Sequence, residues 1–427
     1  MEKKFMEQVN NLSKQTVQLC YHCHKCTAGC PSAFAMEYGP DRLLRLVQFG
    51  QKERLFASRD AWLCFGCEMC GAHCPNDISV NEVMIALKEL AGEEGYRVED
   101  CKELREILAE YLEQRSEAEI DERLCEGLSR LNSLSQTIEA HHNISGDDNE
   151  MRMIWSQNLA DVPPGLSGQE GADLVYFVGC VASFFPRSYR VPQAMTTILT
   201  KGTEATGAEF TTLGGQEWCC GYPLLSMGRL EQARELIRHN VEQTKALGAS
   251  RVVFACPSCY HMWKHVYPEV LEEDIGLEVL HATELIDDLV EQGALELGEL
   301  DMTVTFHDPC DLGRKSGVFE APRRVLQRIP GVKLVEMSTS GGISECCGGG
   351  GNLESFDPDV GSEVSSRRVD RACEVEAQAI ISACQQCERT LTEAVRHHKE
   401  ARRARIRVMD VAELVLKAME QAQDSQA

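Results

Sequence analysis

The apolar positions of this chain follow one spacing in the N-terminal third and another in the rest. Up to about residue 138 they recur at helical spacing, for example at Leu43, Leu44, Leu46, Val47 and Phe49. The same spacing returns between residues 104 and 112, where charged residues separate the apolar ones. This pattern predicts a mainly helical N-terminal region.

Beyond residue 172, short apolar runs alternate with helical stretches. Runs typical of strands occupy residues 173–178, 209–213 and 251–255, and a second set in the same order occupies 302–306, 332–336 and 379–383. Strands that alternate with helices predict parallel sheets with right-handed crossovers. The C-terminal part is therefore predicted to be two repeated α/β units.

The segment between these regions loses its periodicity. Residues 141–172 gather Gly, Pro and Asp, which predicts an interdomain linker. The expected division is a helical domain at 1–95, a helical connector and linker at 96–170, and two α/β domains at 171–298 and 299–427. The fold class is thus α+β for the whole chain and α/β for each repeat.

The charge balance excludes some classes of partner. With 67 acidic and 43 basic residues the net charge is −24, which disfavours binding to nucleic acid or to anionic membranes. Residues 1–18 lack the apolar core of a signal peptide, and no run of 18 apolar residues occurs. The expected location is the cytoplasm, or the membrane periphery through a partner subunit. In a reducing cytoplasm most of the 21 cysteines are expected to bind metal.

Eight cysteines near the N-terminus form two copies of the motif C-x2-C-x2-C-x3-C-P. The copies are Cys20, Cys23, Cys26 and Cys30, then Cys64, Cys67, Cys70 and Cys74. This is the spacing of bacterial two-cluster ferredoxins, in which the fourth cysteine ligates the other cluster. It predicts one [4Fe-4S] cubane on Cys20, Cys23, Cys26 and Cys74 and another on Cys64, Cys67, Cys70 and Cys30. Zinc is the weaker alternative, because two crossed cubanes use all eight thiolates.

A second cysteine pattern occurs once in each α/β repeat, with aligned members about 128 residues apart. The first copy is Cys180, Cys219, Cys220, Cys256 and Cys259, and the second is Cys310, Cys346, Cys347, Cys384 and Cys387. In both copies a glycine follows the cysteine pair, and the last two cysteines form C-x-x-C. Each group follows a predicted strand, so the thiols are expected at the carboxyl edge of the sheet, where open α/β sheets bind ligands.

These repeats resemble the cysteine-rich CCG domain of the heterodisulfide reductase family, in which five cysteines hold a non-cubane [4Fe-4S] cluster. The resemblance implies two such clusters on the ten cysteines above. The N-terminal region resembles the helical two-cubane ferredoxin domain of the C subunit of that family, and the double repeat resembles its B subunit. A fusion in this order is the layout of the D-type subunit.

The resemblance implies an oxidoreductase that acts on a disulfide, as the catalytic subunit of a complex. Electrons would enter the cubanes from a partner, either a flavin-containing A-type subunit or a membrane cytochrome, and continue to the two non-cubane clusters, where a small disulfide is cleaved. Two alternatives remain open. In the first, the chain is an electron relay within a larger membrane-linked or flavin-containing complex. In the second, it is the iron–sulfur subunit of a glycolate or lactate oxidase.

Several residues near the motifs are weaker candidates. His307 precedes Cys310 at a strand end and is a candidate acid, although a histidine satisfied by local hydrogen bonds is the commoner case. Basic residues that could meet an anionic substrate are Arg187, Arg190 and Lys315. Three cysteines outside the motifs, Cys101, Cys125 and Cys373, are predicted to be small, free and buried apolar residues.

Overall fold

A computed structural model describes residues 2–96, 101–109 and 121–426. The chain forms two compact units, each built from three segments. The N-terminal unit comprises Met1–Gln136, Pro223–Glu231 and Gly348–Val364, and the C-terminal unit comprises Thr137–Tyr222, Gln232–Cys347 and Ser365–Ala427.

The described elements in the first 141 residues are all helical. The α-helices span Glu2–Ser13, Lys25–Gly29, Gly39–Gln48, Lys52–Phe56, Met69–Ala72, Val80–Glu93, Cys101–Ile107 and Glu122–His141, with short 3-10 turns at Val17–Leu19 and Ala33–Ala35. The helix Gly39–Gln48 buries Leu43, Leu44 and Val47, as its apolar spacing predicts, while Phe49 beyond its end is 48% exposed. The predicted helical N-terminal domain is confirmed.

Asp60 fixes the turn that leads into the helix Gly39–Gln48. Its two carboxylate oxygens accept hydrogen bonds from the backbone N–H groups of Glu37, Tyr38 and Gly39 at 2.8–2.9 Å. Burial raises the pKa of Asp60, and the three donors oppose that rise. The carboxylate thereby satisfies backbone donors that a helix N-terminus leaves without partners.

Two excursions from the repeats belong to the N-terminal unit, and each follows a Cys-Cys-Gly motif. In residues 223–231, the carbonyl of Ser226 accepts a hydrogen bond from Nζ of Lys88 at 2.8 Å. In residues 348–364, Asp357 pairs with Arg59 at 2.6 Å. Asn352 also donates to the carbonyl of Pro223 at 2.8 Å, so the two excursions contact each other.

The C-terminal unit contains two four-stranded parallel sheets. The strands are β1 Leu174–Phe177, β2 Phe210–Thr211, β3 Arg251–Phe254, β4 Glu278–His281, β5 Met302–His307, β6 Val332–Leu334, β7 Ala379–Ser382 and β8 Arg407–Asp410. The first sheet has the order β2-β1-β3-β4 and the second β6-β5-β7-β8. In the first sheet Val175 pairs with Val252, and in the second Thr305 pairs with Ile380. The prediction of two repeated parallel-sheet α/β units is confirmed, with a fourth strand, β4 or β8, added to each.

Helices connect the strands of each sheet. From residue 149 onward the α-helices span Cys180–Phe184, Arg190–Thr206, Tyr222–Ser226, Leu230–Ala246, Pro257–His261, Tyr267–Leu271, Ala282–Glu291, Glu320–Arg328, Leu353–Phe356, Pro358–Glu374, Gln385–His397, Lys399–Ala404 and Val411–Gln426. The remaining helical turns are Asn149–Asn158, Pro186–Ser188, Gly214–Gln216, Met262–Val266 and Gly341–Ile343. Gly207 ends the helix Arg190–Thr206 in the left-handed conformation (φ 75°), which a residue without a Cβ adopts at no steric cost.

The segment assigned from its composition to a linker has a packed centre. Residues Asn149–Asn158 form a 3-10 helix whose Arg152 and Trp155 are buried in the C-terminal unit. Gln193 of the neighbouring helix donates to the carbonyl of Trp155 at 2.8 Å. This helix therefore belongs to the first repeat's packing.

The cysteines outside the motifs have different environments. Cys125 is buried, as predicted, but it is disulfide-bonded, so the prediction of a free thiol is wrong: pairing depends on where the fold brings two cysteines together, which no local spacing marks. The side chain of Cys101 lies outside the described residues. Cys373 is half-buried against the core of the second repeat. Within the described ranges, no helix combines the length and the apolar character needed to cross a membrane.

Candidate metal centres

In the N-terminal unit, Cys20, Cys23, Cys26 and Cys74 converge on tight backbone turns. His22 and His24 have positive φ values of 60° and 64°, which turn the chain between successive cysteines. The pKa of the Cys20 thiol is raised by burial and by the neighbouring Cys74 and Cys23 thiols. Cys23 is exposed at the protein surface. The fourth cysteine of the second motif thus lies beside the first three of the first motif.

The other four N-terminal cysteines line one narrow cavity. Cys30, Cys64, Cys67 and Cys70 share it with apolar residues that include Phe65 and Met84. Burial raises the pKa of Cys30 to about 12, and the Cys67 and Cys64 thiols contribute to this rise. Glu68 has φ 57°, which turns the chain between Cys67 and Cys70. In both groupings, the fourth cysteine of one motif lies near cysteines of the other motif.

The excursion after the second Cys-Cys-Gly motif passes close to this cavity. A Cβ on Gly351 would lie 2.2 Å from the carbonyl oxygen of Cys64, and one on Gly350 would lie 2.7 Å from that of Phe65. Gly351 also has φ 62°. Glycine is therefore required at position 351 by both space and backbone conformation.

The five cysteines of the first repeat form a continuous series of thiol contacts. Hydrogen bonds join Cys180 to Cys219, Cys219 to Cys220, Cys220 to Cys259 and Cys259 to Cys256. All five are buried. These contacts lower the pKa of Cys220, because both of its thiol neighbours donate to it. The site lies at the carboxyl edge of β1 and β3, as predicted.

The backbone beside this site leaves room for a bulky group. Gly179 has φ 81°, and a Cβ there would lie 3.3 Å from Sγ of Cys259. Gly221 has φ 86°, and a Cβ there would lie 2.9 Å from that of Ala233, so this glycine lets the chain after the cysteine pair pack closely against the helix Leu230–Ala246. Five converging buried thiols with a glycine against them fit an iron–sulfur cluster, whose ligands are thiolates.

A buried guanidinium contacts the first site. Arg152 is 1% exposed and donates from one terminal nitrogen to Sγ of Cys180 at 3.3 Å and from the other to Glu217 at 2.8 Å. The same carboxylate accepts the backbone N–H groups of Val178 and Gly179 at 2.8 Å. Burial lowers the pKa of Arg152, but Cys180 and Glu217 outweigh burial and raise it. Sequence reasoning missed this pair, because Arg152 lies in an aperiodic segment.

In the second repeat the described contacts include those among Cys346, Cys347, Cys384, Cys387 and one histidine. Cys346 contacts Cys347, Cys347 contacts Cys387, and Cys387 contacts Cys384. Sγ of Cys347 and of Cys387 and a ring nitrogen of His307 all lie within 4.8 Å of one another. Cys310, the fifth member, is half-buried and influences Lys315 electrostatically.

His307 is held from its other side by a second buried guanidinium. Nε of Arg368 donates to Nδ1 of His307 at 3.0 Å, and its terminal nitrogens bind Thr339 and Ser344. Burial lowers the pKa of His307, although its hydrogen bond to Cys347 opposes this. The predicted candidate acid is thus at the second site, as a neutral imidazole against a thiol.

The two repeats meet near their cysteines within the C-terminal unit. Gln385, between Cys384 and Cys387, is fully buried, and its Nε2 lies 3.5 Å from the carbonyl of Val178 in the first repeat. The Cys256 thiol contributes to raising the pKa of Cys384. In addition, Ser258 of the first C-x-x-C donates to Asp311 at 2.6 Å. The two candidate metal sites are therefore neighbours.

The basic residues proposed from sequence interact with acidic groups. Lys315 is 9% exposed and pairs with Asp311 at 2.9 Å, and this ammonium outweighs burial and lowers the pKa of Asp311. Arg187 pairs with Glu393 at 2.7 Å on the surface. Arg190 begins the helix Arg190–Thr206, and its charge opposes the rise in the pKa of Glu388. None of the three is brought to the thiols of the first site by a described contact.

Two buried carboxyl groups beside the second site carry no motif signature. Glu388 follows Cys387, and burial raises its pKa to about 10. Asp410, at the end of β8, accepts the N–H of Ala412 as a helix cap, and burial raises its pKa to about 8. One oxygen of each lacks a hydrogen-bond partner among the described residues.

Comparison with known proteins agrees with this architecture. A 4Fe-4S dicluster domain model matches residues 4–79, and a cysteine-rich CCG domain model matches residues 174–264 and 304–392. The chain is 39% identical over 286 residues to the D subunit of the dihydromethanophenazine:CoB–CoM heterodisulfide reductase of Methanosarcina acetivorans, and the match covers 66% of each chain. The corresponding protein of Methanosarcina mazei is 37% identical over 67% of this chain and 68% of that protein. The matched region thus spans about two thirds of these relatives.

A solved structure shares the fold. A hypothetical protein from Helicobacter pylori superposes with a TM-score of 0.56 at 11% identity, covering 98% of this chain and 72% of that one. The fold and the cysteine pattern define an iron–sulfur oxidoreductase subunit. The chain belongs to the family of heterodisulfide reductase D subunits, which confirms the resemblance drawn from its motifs.

Proposed function

We propose that this chain is the disulfide-reducing catalytic subunit of a redox complex, with four [4Fe-4S] clusters. Cys20, Cys23, Cys26 and Cys74 hold one cubane, and Cys30, Cys64, Cys67 and Cys70 hold the other. Cys180, Cys219, Cys220, Cys256 and Cys259 hold one non-cubane cluster, and Cys310, Cys346, Cys347, Cys384 and Cys387 hold the second.

One observation carries this proposal: two complete cysteine sets of the same form lie beside each other in one unit. Gln385 of the second C-x-x-C reaches the strand end before Cys180, and Cys256 acts electrostatically on Cys384. Cleavage of a disulfide takes two electrons, and an iron–sulfur cluster supplies one at a time. Two neighbouring sites of matched composition therefore suit this reaction better than a single site does.

The chain's own residues bind and orient these groups. When bound, the non-cubane clusters would supply the electrons that cleave the disulfide and the iron that binds its two sulfur atoms. Glu217 holds the N–H groups of Val178 and Gly179 and thereby fixes the turn into Cys180. Arg152 and His307 each contact a thiol at one of the two sites. Phe177, Phe254 and Trp263 are buried and pack against one another in the first repeat.

We further propose that electrons enter from a partner at the cubane of Cys23. This thiol is exposed, whereas Cys26 and Cys67 are buried. The partner is a flavin-containing subunit or a membrane cytochrome, and any membrane association of the cytoplasmic chain runs through it.

The test is anaerobic reconstitution followed by iron analysis and electron paramagnetic resonance (EPR). Four clusters require about sixteen iron atoms per chain. We expect a paramagnetic signal of the oxidised protein that changes on addition of coenzyme M, and reduction of a mixed disulfide with a reduced viologen dye as donor. The variant Cys220→Ser should abolish both, while Cys373→Ser, which changes a cysteine outside the motifs, should leave both intact.

Other results would contradict the proposal in different ways. Full iron without a thiol-dependent signal or disulfide reduction would favour an electron relay. About eight iron atoms with bound zinc would contradict both non-cubane clusters.

A further inference from the structure

We propose that Arg152 raises the reduction potential of the cluster at the first CCG site. Arg152 acts as a positioning residue through the sulfur of Cys180. The inference rests on the proposed function, because it requires a cluster on Cys180, Cys219, Cys220, Cys256 and Cys259.

The guanidinium of Arg152 is fixed on every side. Besides Cys180 and Glu217, Nε donates to Oδ1 of Asn149 at 3.1 Å, and the group lies over the ring of Phe184 with its carbon 5.0 Å from the centroid. Its planar donor set therefore has one orientation, and that orientation directs one N–H at the sulfur.

A fixed positive charge beside a metal-bound sulfur favours the reduced state. Reduction adds a negative charge to the cluster, and water does not screen a neighbour that is 1% exposed. Hydrogen bonds to ligand sulfur atoms act in the same direction. The negative charge of Glu217 opposes this effect. However, the guanidinium contacts the sulfur directly, whereas the carboxylate contacts the guanidinium and two backbone N–H groups.

A buried guanidinium also lies beside the second site. This group, of Arg368, donates to Nδ1 of His307, and His307 contacts Cys347. His307 thus lies between this guanidinium and Cys347, whereas Arg152 donates directly to Cys180.

The electron that this site accepts is one of the two that the proposed reaction needs. The overall change is RS–SR′ + 2e⁻ + 2H⁺ → RSH + R′SH, in which the S–S bond breaks and both electrons come singly from the donor through the cubanes.

Potentiometric EPR titration of the complete, iron-loaded protein tests this inference. The signal of the first site is identified by its loss in Cys220→Ser. Arg152→Gln should decrease the equilibrium constant for reduction of that site at least tenfold, which for a one-electron couple is about 59 mV downward. Arg152→Lys, which keeps the charge, should recover most of the shift. Glu217→Gln should move the potential upward, because it removes the opposing charge.

The expected potential shifts of Arg152→Gln and Glu217→Gln have opposite directions, which distinguishes an effect of charge from an effect of packing. Trp155→Phe disturbs the same 3-10 helix without changing charge, and Arg368→Gln removes the guanidinium of the second site; neither should shift the potential of the first. An unchanged potential in iron-loaded Arg152→Gln, or a downward shift in Glu217→Gln, would overturn the inference. If Arg152→Gln binds no iron at this site, the sign of the Glu217→Gln shift decides alone. Absence of the first-site cluster in the unsubstituted protein would instead overturn the proposed function.

Discussion

Nε of Arg368 donates a hydrogen bond to Nδ1 of His307 at 3.0 Å, and both side chains are buried. Because a guanidinium only donates, Nδ1 accepts, and the proton of the neutral imidazole is on Nε2. Burial lowers the pKa of His307 and so favours the neutral ring, and the hydrogen bond from Arg368 selects this tautomer. His307 is therefore expected to donate a hydrogen bond to Cys347 and not to titrate during turnover.

Replacement of His307 tests this expectation. In His307→Gln, the amide oxygen can accept from Arg368 or the amide N–H can donate to Cys347. We therefore expect the iron content to persist. The rate of disulfide reduction should fall by less than the roughly hundredfold that loss of a general acid costs. Its pH profile should keep its position, as measured against the exposed control His397→Gln. Loss of one limb of the profile in His307→Gln alone would identify His307 as the acid.

The crossed ligand sets predict paired effects of cysteine substitutions. Cys30→Ser should remove the same cubane EPR signal as Cys64→Ser, because Cys30 shares a cavity with Cys64. Cys74→Ser should remove the same signal as Cys20→Ser, since these thiols are neighbours. EPR spectra of the four reduced variants check this prediction. If Cys30→Ser instead matched Cys20→Ser, each motif would bind its own cluster.

Substitution of Gly351 tests whether residues 348–364 pass close to the cubane motif that contains Cys64. Gly351→Ala places a methyl group 2.2 Å from the Cys64 carbonyl and forces an unfavourable φ of 62°. We expect a lower temperature of thermal unfolding and loss of the cubane signal that depends on Cys64. The loss of stability should exceed the 1–2 kcal/mol or so that left-handed backbone alone costs.

Two other glycines distinguish the cost of the unfavourable φ from the cost of the steric clash. Gly341 has φ 60° but open space where a methyl group would be added, and Gly342 has open space without a positive φ. Gly341→Ala should therefore show only the backbone cost, and Gly342→Ala should resemble the unsubstituted protein. A Gly351→Ala protein no less stable than Gly341→Ala would contradict the close approach.

The buried carboxyl group of Asp410 predicts a pH-dependent stability. Burial raises its pKa from 3.8 to about 8, so between these values the folded state binds a proton that the unfolded state does not. Its contribution is fully present below about pH 4 and is lost as the pH rises toward 8. Asp410→Asn keeps an oxygen for the N–H of Ala412 and removes the charge. Its unfolding temperature relative to the unsubstituted protein should rise from about pH 5 to about pH 8.

A surface carboxylate provides the control for this measurement. Asp301 is exposed, and Asp301→Asn should give a difference in unfolding temperature that does not vary between the two pH values. The same flat difference in Asp410→Asn would show that Asp410 is not protonated in the folded protein.

Much of the fold followed from short-range signals in the sequence. The runs before Cys180, Cys256 and Cys384 became β1, β3 and β7, because buried parallel strands need continuous apolar residues. β4 and β8 escaped prediction because both are partly exposed at sheet edges, as in Glu278–His281. The disulfide of Cys125 escaped for a different reason: pairing of two cysteines depends on the path of the backbone.

The sequence by itself determined which thiols are available and in what spacing, because metal ligation requires closely spaced cysteines. Only the tertiary structure decided what surrounds those thiols. Arg152 reaches Cys180 from a segment without periodicity, Glu217 binds the turn at Gly179, and Gln385 reaches the other repeat. Contacts between residues far apart in sequence carry no local pattern, since burial and charge pairing depend on where the backbone brings them together.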